Sequence, residues 1–127
     1  MTFVDTNVFM YAVGGEHPLK PKARAFFREA IETVRPLVTS SEVLQELLHA
    51  YLPVGRLETL DAALALVDGT VGTVWSVEAE DVRLARILVG EHPGLRARDL
   101  VHLACCRRRD VTRIETYDRG LAAAMAG

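Results

Sequence analysis

Apolar residues follow two rhythms along this chain: short unbroken runs, and longer stretches in which they recur every three or four positions. The runs at Met1 to Val4, Leu37-Val38, Val71 to Val77 and Thr112 to Tyr117 predict strands. The helical rhythm predicts a short helix over residues 6 to 13. After a turn at Gly14-Gly15-Glu16-His17-Pro18 it predicts a longer helix carrying Ala23, Phe26, Phe27, Ala30, Ile31 and Val34 on one face and ended by Pro36. Thr39-Ser40-Ser41-Glu42 has the S/T-x-x-E form of a capping box, so a helix should open there and run to about Leu52, before Pro53 and Gly55. Further helices are expected from Arg56 to Val67, stopped by Gly69, and from Glu78 to about Val89, with Val82, Ala85 and Leu88 on one face. Two more are expected from Ala97 to Arg109 and from Leu121 onward.

The resulting order, β-α-α-β-α-α-β-α-α-β-α, joins each strand to the next through helices. That connectivity implies a parallel sheet of about four to five strands sandwiched by helices, an α/β/α fold. No repeat or linker interrupts the order, so residues 1–127 are expected to form a single domain.

Composition sharpens this picture only in part. The chain is 50% hydrophobic and 25% charged, which suits a packed core and argues against disorder. The start has no basic segment followed by a long apolar one, and no run approaches the ~18 apolar residues of a membrane span. A cytoplasmic protein without a membrane partner is expected. Cys105 and Cys106 are adjacent in a predicted helix, where their side chains diverge by about 100°; they imply a reducing compartment and no disulfide framework.

Net charge is −2, yet six arginines (96, 98, 107, 108, 109 and 113) face only Asp99 and Asp110 between Leu95 and Arg113. Such an excess could hold a phosphate backbone. Alternatively, Arg107 to Arg109 close a helix C-terminus, where cations are favoured.

The chemistry resides in four acids, Asp5, Glu46, Asp99 and Asp118, each at a predicted strand end or just inside a helix. Asp5 and Asp118 follow strands, which places both on the carboxyl rim of a parallel sheet, where ligands bind in open α/β folds. Carboxylates brought to ~4 Å repel by about 4 kcal/mol per pair at an effective dielectric of 20, so a cluster of them needs bound cations or protons. Oxygen ligands favour a hard ion, Mg²⁺ with Mn²⁺ as a substitute, and such an ion can activate water against a phosphodiester.

Four segments carry a family resemblance: Phe3-Val4-Asp5-Thr6-Asn7-Val8, Thr39 to Leu47, Arg98-Asp99-Leu100-Val101-His102-Leu103-Ala104, and Glu115-Thr116-Tyr117-Asp118. In this order, over nearly the whole chain, they resemble the PIN-domain ribonucleases, and within them the VapC-type toxins of bacterial toxin–antitoxin pairs. The resemblance implies that Asp5 and Asp99 are the principal metal ligands, with Glu46 and Asp118 completing the acidic pocket. It implies that Thr6, Asn7 and Thr116 orient carboxylates or water. It further implies a metal-dependent endoribonuclease acting on structured RNA such as tRNA or rRNA, a homodimer, and neutralisation by a VapB-type antitoxin. One departure stands out: where many members carry a further acid and then Phe after the last Asp, this chain has Arg119, Gly120 and Leu121. One tightly held ion, with a second arriving alongside RNA, is therefore expected.

Other readings compete at particular residues. Asp5 and Asp99 could simply favour helix N-termini, and Asp118 a turn. Glu42 lies one turn before Glu46, but it has a capping partner in Thr39, which leaves Glu46 for the site. His49, Glu42 and Gln45 are further pocket candidates. Asp99, His102 and Cys106 mimic a zinc site, but zinc favours four close N/S ligands, so His102 is expected to be a packed residue or one that orients a ligand. A haloacid-dehalogenase-type phosphotransferase needs an acid where Asn7 stands. A receiver domain needs a Lys near the last strand, and the only lysines are Lys20 and Lys22. The serious rival is a catalytically silent PIN fold that binds RNA or protein. Apolar residues on the helices Pro21 to Val34 and Leu57 to Leu66 would give an antitoxin helix a groove, or simply pack the core.

Overall fold

The structure, a computed structural model, describes residues 1–127. Four strands, β1 (Thr2–Val4), β2 (Leu37–Ser40), β3 (Thr73–Trp75) and β4 (Arg113–Glu115), form one parallel sheet in the order β3-β2-β1-β4. Helices α1 (Thr6–Val13) and α2 (Lys20–Glu32) join β1 to β2. Helices α3 (Ser41–Tyr51) and α4 (Leu57–Thr70) join β2 to β3, with a 3-10 turn at Leu52–Val54 between them. Helices α5 (Ala79–Leu88) and α6 (Ala97–Arg108) lead to β4, and α7 (Arg119–Ala126) follows it.

Phe3 packs its ring 5.4 Å from His102 of α6, while the pleat sends its neighbour Val4 to the opposite face. Both are fully buried, so helices cover both faces of the central strand and the expected sandwich forms. The larger apolar cluster includes Val8 and Phe9 of α1, Phe27 of α2, Leu47 of α3 and Val67 of α4. A smaller one joins α5, α6 and α7 through Leu88, Leu103 and Leu121. The chain begins in the middle of the sheet, winds outward through β2 to β3, then crosses back to place β4 on the other side of β1. Winding therefore reverses between β1 and β4, and the crevice beyond their carboxyl ends is the natural ligand position of such a sheet.

Several local expectations need correction. The helix expected to carry Ile31 and Val34 inward ends at Glu32, and these two residues are 60% and 83% exposed. A Schellman closure ends it: Arg35 N–H donates to the Ala30 carbonyl (2.8 Å) and Val34 N–H to that of Ile31 (3.2 Å). This places Val34 in the left-handed region at φ 53°. The Thr39–Glu42 capping box does not form. Ser40 is the N-cap, without a side-chain bond, and the Thr39 hydroxyl donates instead to the Val4 carbonyl at 2.9 Å, joining β2 to β1. Gly69 does not stop α4, which continues to Thr70, and β3 is shorter than the apolar run that predicts it.

On α5 the inward face is Asp81, Ala85 and Leu88; Val82 points out at 52% exposure. Buried Asp81 is held by Arg108 (2.8 Å) and Arg109 (2.8 and 3.2 Å). It also accepts from the Glu78 N–H (2.8 Å), half of a capping box that opens this helix. Arg109 stands over the Trp75 ring. Arg107 pairs with Glu91. The three consecutive arginines therefore have structural partners at the C-terminus of α6, and the ion pairs they make with α5 and the loop after it go beyond the helix-closing role expected of them.

Candidate active site

The crevice is built from two turns stitched together. Asp5 keeps sheet register, its N–H donating to the Glu115 carbonyl at 3.0 Å, and it also caps α1, its Oδ1 accepting from Thr6 N–H at 2.8 Å. Its Oδ2 accepts from the Thr116 hydroxyl at 2.6 Å. Thr116 Oγ1 in turn accepts from Asp118 N–H (3.0 Å) and the Asn7 amide (3.4 Å), and Asn7 Oδ1 accepts from Tyr117 N–H (3.2 Å). Both lone-pair sides of the buried Asp5 carboxylate are thus fixed in direction.

Glu46 reaches the same point from α3. Its Oε2 accepts from the Thr6 hydroxyl and its Oε1 from His102 Nε2 at 2.7 Å. His102 Nε2 also lies 3.7 Å from Asp5 Oδ1. One ligand atom from each of Asp5, Glu46 and His102 falls within 4.8 Å of the other two. His102 Nε2 is occupied as a donor to Glu46, so it orients that carboxylate and has no lone pair to offer an ion. That is the packed, orienting role expected of it.

Asp99 stands one turn before His102 in the first turn of α6 and is half-buried. Asp118 lies beyond β4 as the exposed N-cap of α7, its Oδ1 accepting from Leu121 N–H at 2.9 Å. It therefore leads a helix that begins at Arg119, rather than ending a strand. Gly120 allows this turn to sit close, because a Cβ there would come within 3.3 Å of Asp118 Oδ1. Asp5, Glu46, Asp99 and Asp118 all line one cavity of about 230 Å³, together with Thr6, Asn7, His49 and Arg98. Glu42 and Gln45 do not line it. An adjoining cavity of about 710 Å³ shares Glu46, Arg98, Asp99 and Asp118 and adds Arg96. Of the six clustered arginines, these two face the acids.

The charges oppose one another. Burial drives the Asp99 pKa up to about 6, with Asp118, Asp5 and Glu46 adding repulsion against the help of His102. Burial also raises that of Asp5, although His102, Thr116 and Thr6 N–H work against it. Glu46 is held below its ordinary value: burial opposes this, but the His102 hydrogen bond and charge, the Thr6 hydroxyl and Arg98 prevail. His102 is correspondingly raised by Glu46, Asp5 and Asp99 in spite of complete burial. Acids crowded into one pocket repel one another, and a bound cation would relieve that repulsion. The donor set, carboxylate oxygens with their remaining lone pairs directed by hydroxyl and amide donors, suits a hard divalent ion.

Comparison with known proteins matches this geometry. A PIN domain family model matches residues 2–126. Ribonuclease VapC23 of Mycobacterium tuberculosis is 60% identical over 124 residues, covering 98% of both chains. Ribonuclease VapC13 of the same organism is 38% identical over 120 residues, covering 94% of this chain and 92% of its own. The crystal structure of Mycobacterium tuberculosis VapC20, described as a sarcin-ricin loop cleaving toxin, superposes with a TM-score of 0.79 over 98% of this chain and 95% of its own. At 21% identity that likeness speaks for the fold. Strand order, the acid-lined crevice and these relatives agree: the chain belongs to the PIN-domain family and, within it, to the VapC-type ribonuclease toxins.

Proposed function

We propose that this chain is a Mg²⁺-dependent endoribonuclease, with Mn²⁺ as a substitute, that hydrolyses phosphodiester bonds in structured RNA (tRNA or rRNA) and is neutralised by a VapB-type antitoxin. The observation that carries this reading is the convergence of Asp5, Glu46, Asp99 and Asp118, from four separate segments, on one cavity at the winding reversal of the sheet. Asp5 and Asp99 hold the ion, with Glu46 and Asp118 completing its surroundings. When bound, the ion supplies positive charge to the scissile phosphate and lowers the pKa of a water.

The chain's own residues do the rest. Thr116 and the Thr6 N–H hold Asp5 in one orientation, while Thr6 Oγ1 and His102 hold Glu46. Arg96 and Arg98, in the larger cavity beside the acids, receive the phosphates that flank the cleaved bond. No further acid follows Asp118, which supports one resident ion.

The antitoxin docks in a cleft of about 560 Å³ where α1, α2 and α4 meet, lined by Ala12, Val13, Phe27, Ala62, Ala65 and Leu66 with Arg24 and Arg28 at its rim. Apolar lining with basic edges suits an amphipathic segment carrying acids. Residues 1–127 act as one cytoplasmic domain, as composition and element order suggest, and form a homodimer, as the family resemblance implies. No helix is long and apolar enough to cross a membrane.

The deciding experiment incubates purified protein, free of antitoxin, with total cellular RNA and Mg²⁺ or Mn²⁺, beside EDTA and a folded Asp99→Asn control. Discrete fragments that both controls abolish are expected, and their mapped ends identify the target. A folded wild-type protein that cuts nothing under either metal would return the chain to the silent binding module.

A further inference from the structure

On the α1 side of the acids lies a second cavity, of about 370 Å³, whose lining includes Asn7, Met10, Tyr11, His17, Tyr51 and Arg56. Asn7 and Met10 also line the cavity of the four acids, so the two adjoin. We infer that this cavity is a nucleobase subsite, which takes an unpaired base of the RNA next to the phosphate at the acids. The inference rests on the nuclease reading and adds to it the element of the substrate recognised.

The walls are aromatic and already ordered. Tyr11 meets Tyr117 edge-on at 5.6 Å and His17 at 4.5 Å, so three rings run in series from the β4–α7 turn to the surface. A base laid on the exposed His17 ring continues that series. The loop that carries His17 is pinned at several points. Its Nδ1 accepts from Leu19 N–H (3.1 Å), its carbonyl from Lys20 N–H (3.0 Å), and Lys20 Nζ donates to the Gly14 carbonyl (2.7 Å). With Nδ1 accepting, the neutral ring carries its hydrogen on Nε2, where it can donate to a base edge. Gly14 is needed for this course, since a Cβ there would come within 2.9 Å of the Met10 carbonyl.

The linings separate base from phosphate. Glu16 and Arg56 line the cavity with opposite signs, and Lys20, held at the Gly14 carbonyl, adds one cation at its edge. The larger cavity across the acids has two guanidinium groups, Arg96 and Arg98, set among Glu46, Asp99 and Asp118, and no aromatic ring. Phosphates thus belong on the arginine side and a base on the aromatic side, where stacking contributes whatever the base.

The test measures anisotropy of fluorescein-labelled RNA decamers, oligo(A), oligo(U) and an abasic decamer with the same phosphates, on full-length protein with Ca²⁺ in place of Mg²⁺. Wild type should bind the base-bearing decamers about tenfold more tightly than the abasic one, as loss of one or two stacked bases implies. His17→Ala, at an exposed position, and Tyr11→Leu should shrink that ratio to within about twofold, while Tyr11→Phe, which keeps the ring, should preserve it. A wild type that does not discriminate, or an undiminished ratio in His17→Ala, overturns the subsite. Cleavage of total RNA with Mg²⁺, run in parallel, separates the two readings: cleavage without discrimination removes the subsite alone, and discrimination without cleavage removes the nuclease alone.

Discussion

Thr116 shows how much of this site depends on residues that bear no charge. Its hydroxyl fixes Asp5 Oδ2 at 2.6 Å and receives Asp118 N–H. Thr116→Val keeps the shape and loses these bonds together with the one from the Asn7 amide, so Mg²⁺ titration of cleavage should show a loss of about 10- to 100-fold in metal affinity or activity, largely restored in Thr116→Ser. Asp99 makes a prediction of the opposite kind. Its folded pKa of about 6 is above the ordinary carboxylate value, so its contribution to stability is present at pH 4 and is lost as pH rises through about 6. In EDTA at neutral pH, Asp99→Asn should therefore be more stable than wild type, by about 1 kcal/mol once solvent screening at this half-exposed group is allowed for. Thermal melts at pH 7.5 and pH 4 check this, and the gain should vanish at the lower pH. Asp5 and Glu46 could be singled out in the sequence by where they stand, an acid closing an apolar strand and an acid within a family motif, although Asp5 also caps α1 and the capping box that set Glu42 aside does not form. Asp81 could not: a buried acid in a polar-looking helix start looks like surface, and its partners Arg108 and Arg109 lie 27 and 28 residues away.

At the scale of elements, the Asp81 cluster fastens α5 to α6. Burial works against the Asp81 charge, but Arg109, the Glu78 N–H and Arg108 hold its pKa well below the carboxylate range. Its stabilisation is therefore complete above about pH 4 and is lost only as pH falls through the depressed value. Asp81→Asn should cost about 3 kcal/mol in urea unfolding at pH 7, because it leaves two guanidinium groups without a buried partner. The end of α2 predicts the reverse. Val34 sits at φ 53° with its side chain in water, so Val34→Gly should stabilise the protein by about 0.5–1 kcal/mol, read from the same urea curves. The sequence reading placed every strand and helix in order because the two hydrophobic periods are strong here. It missed boundaries where a backbone motif overrides side-chain pattern, as at Val34. It also missed where a hydroxyl finds a better partner, as Thr39 does across the sheet.

For the whole molecule, the metal and the antitoxin should be separable. Mg²⁺ should raise the melting temperature of wild type, by about 2.7 kcal/mol of stability at a hundredfold excess over its dissociation constant, and should have no effect on Asp5→Asn. Ala65→Glu, in the cleft between α2 and α4, should weaken antitoxin binding more than tenfold while RNA cleavage proceeds. Pulldown with the antitoxin and fragment analysis report these separately. The parallel sheet was legible from the alternation of strands and helices, and Asp5 from the strand it follows, but the sheet order β3-β2-β1-β4 was not. The two cavities flanking the acids were not, since their walls assemble from side chains far apart in the chain.

The bond between Thr116 and Asp5 spans 111 residues. A ribosome making this toxin has Asp5 in hand from the first moments of synthesis, but the clamp that aims it arrives only with the final strand. A chain that stops short of Thr116 therefore carries Asp5, Glu46 and Asp99 without the hydroxyl that fixes Asp5 Oδ2. The aim of Asp5 is thus completed only when the far end of the sheet has formed.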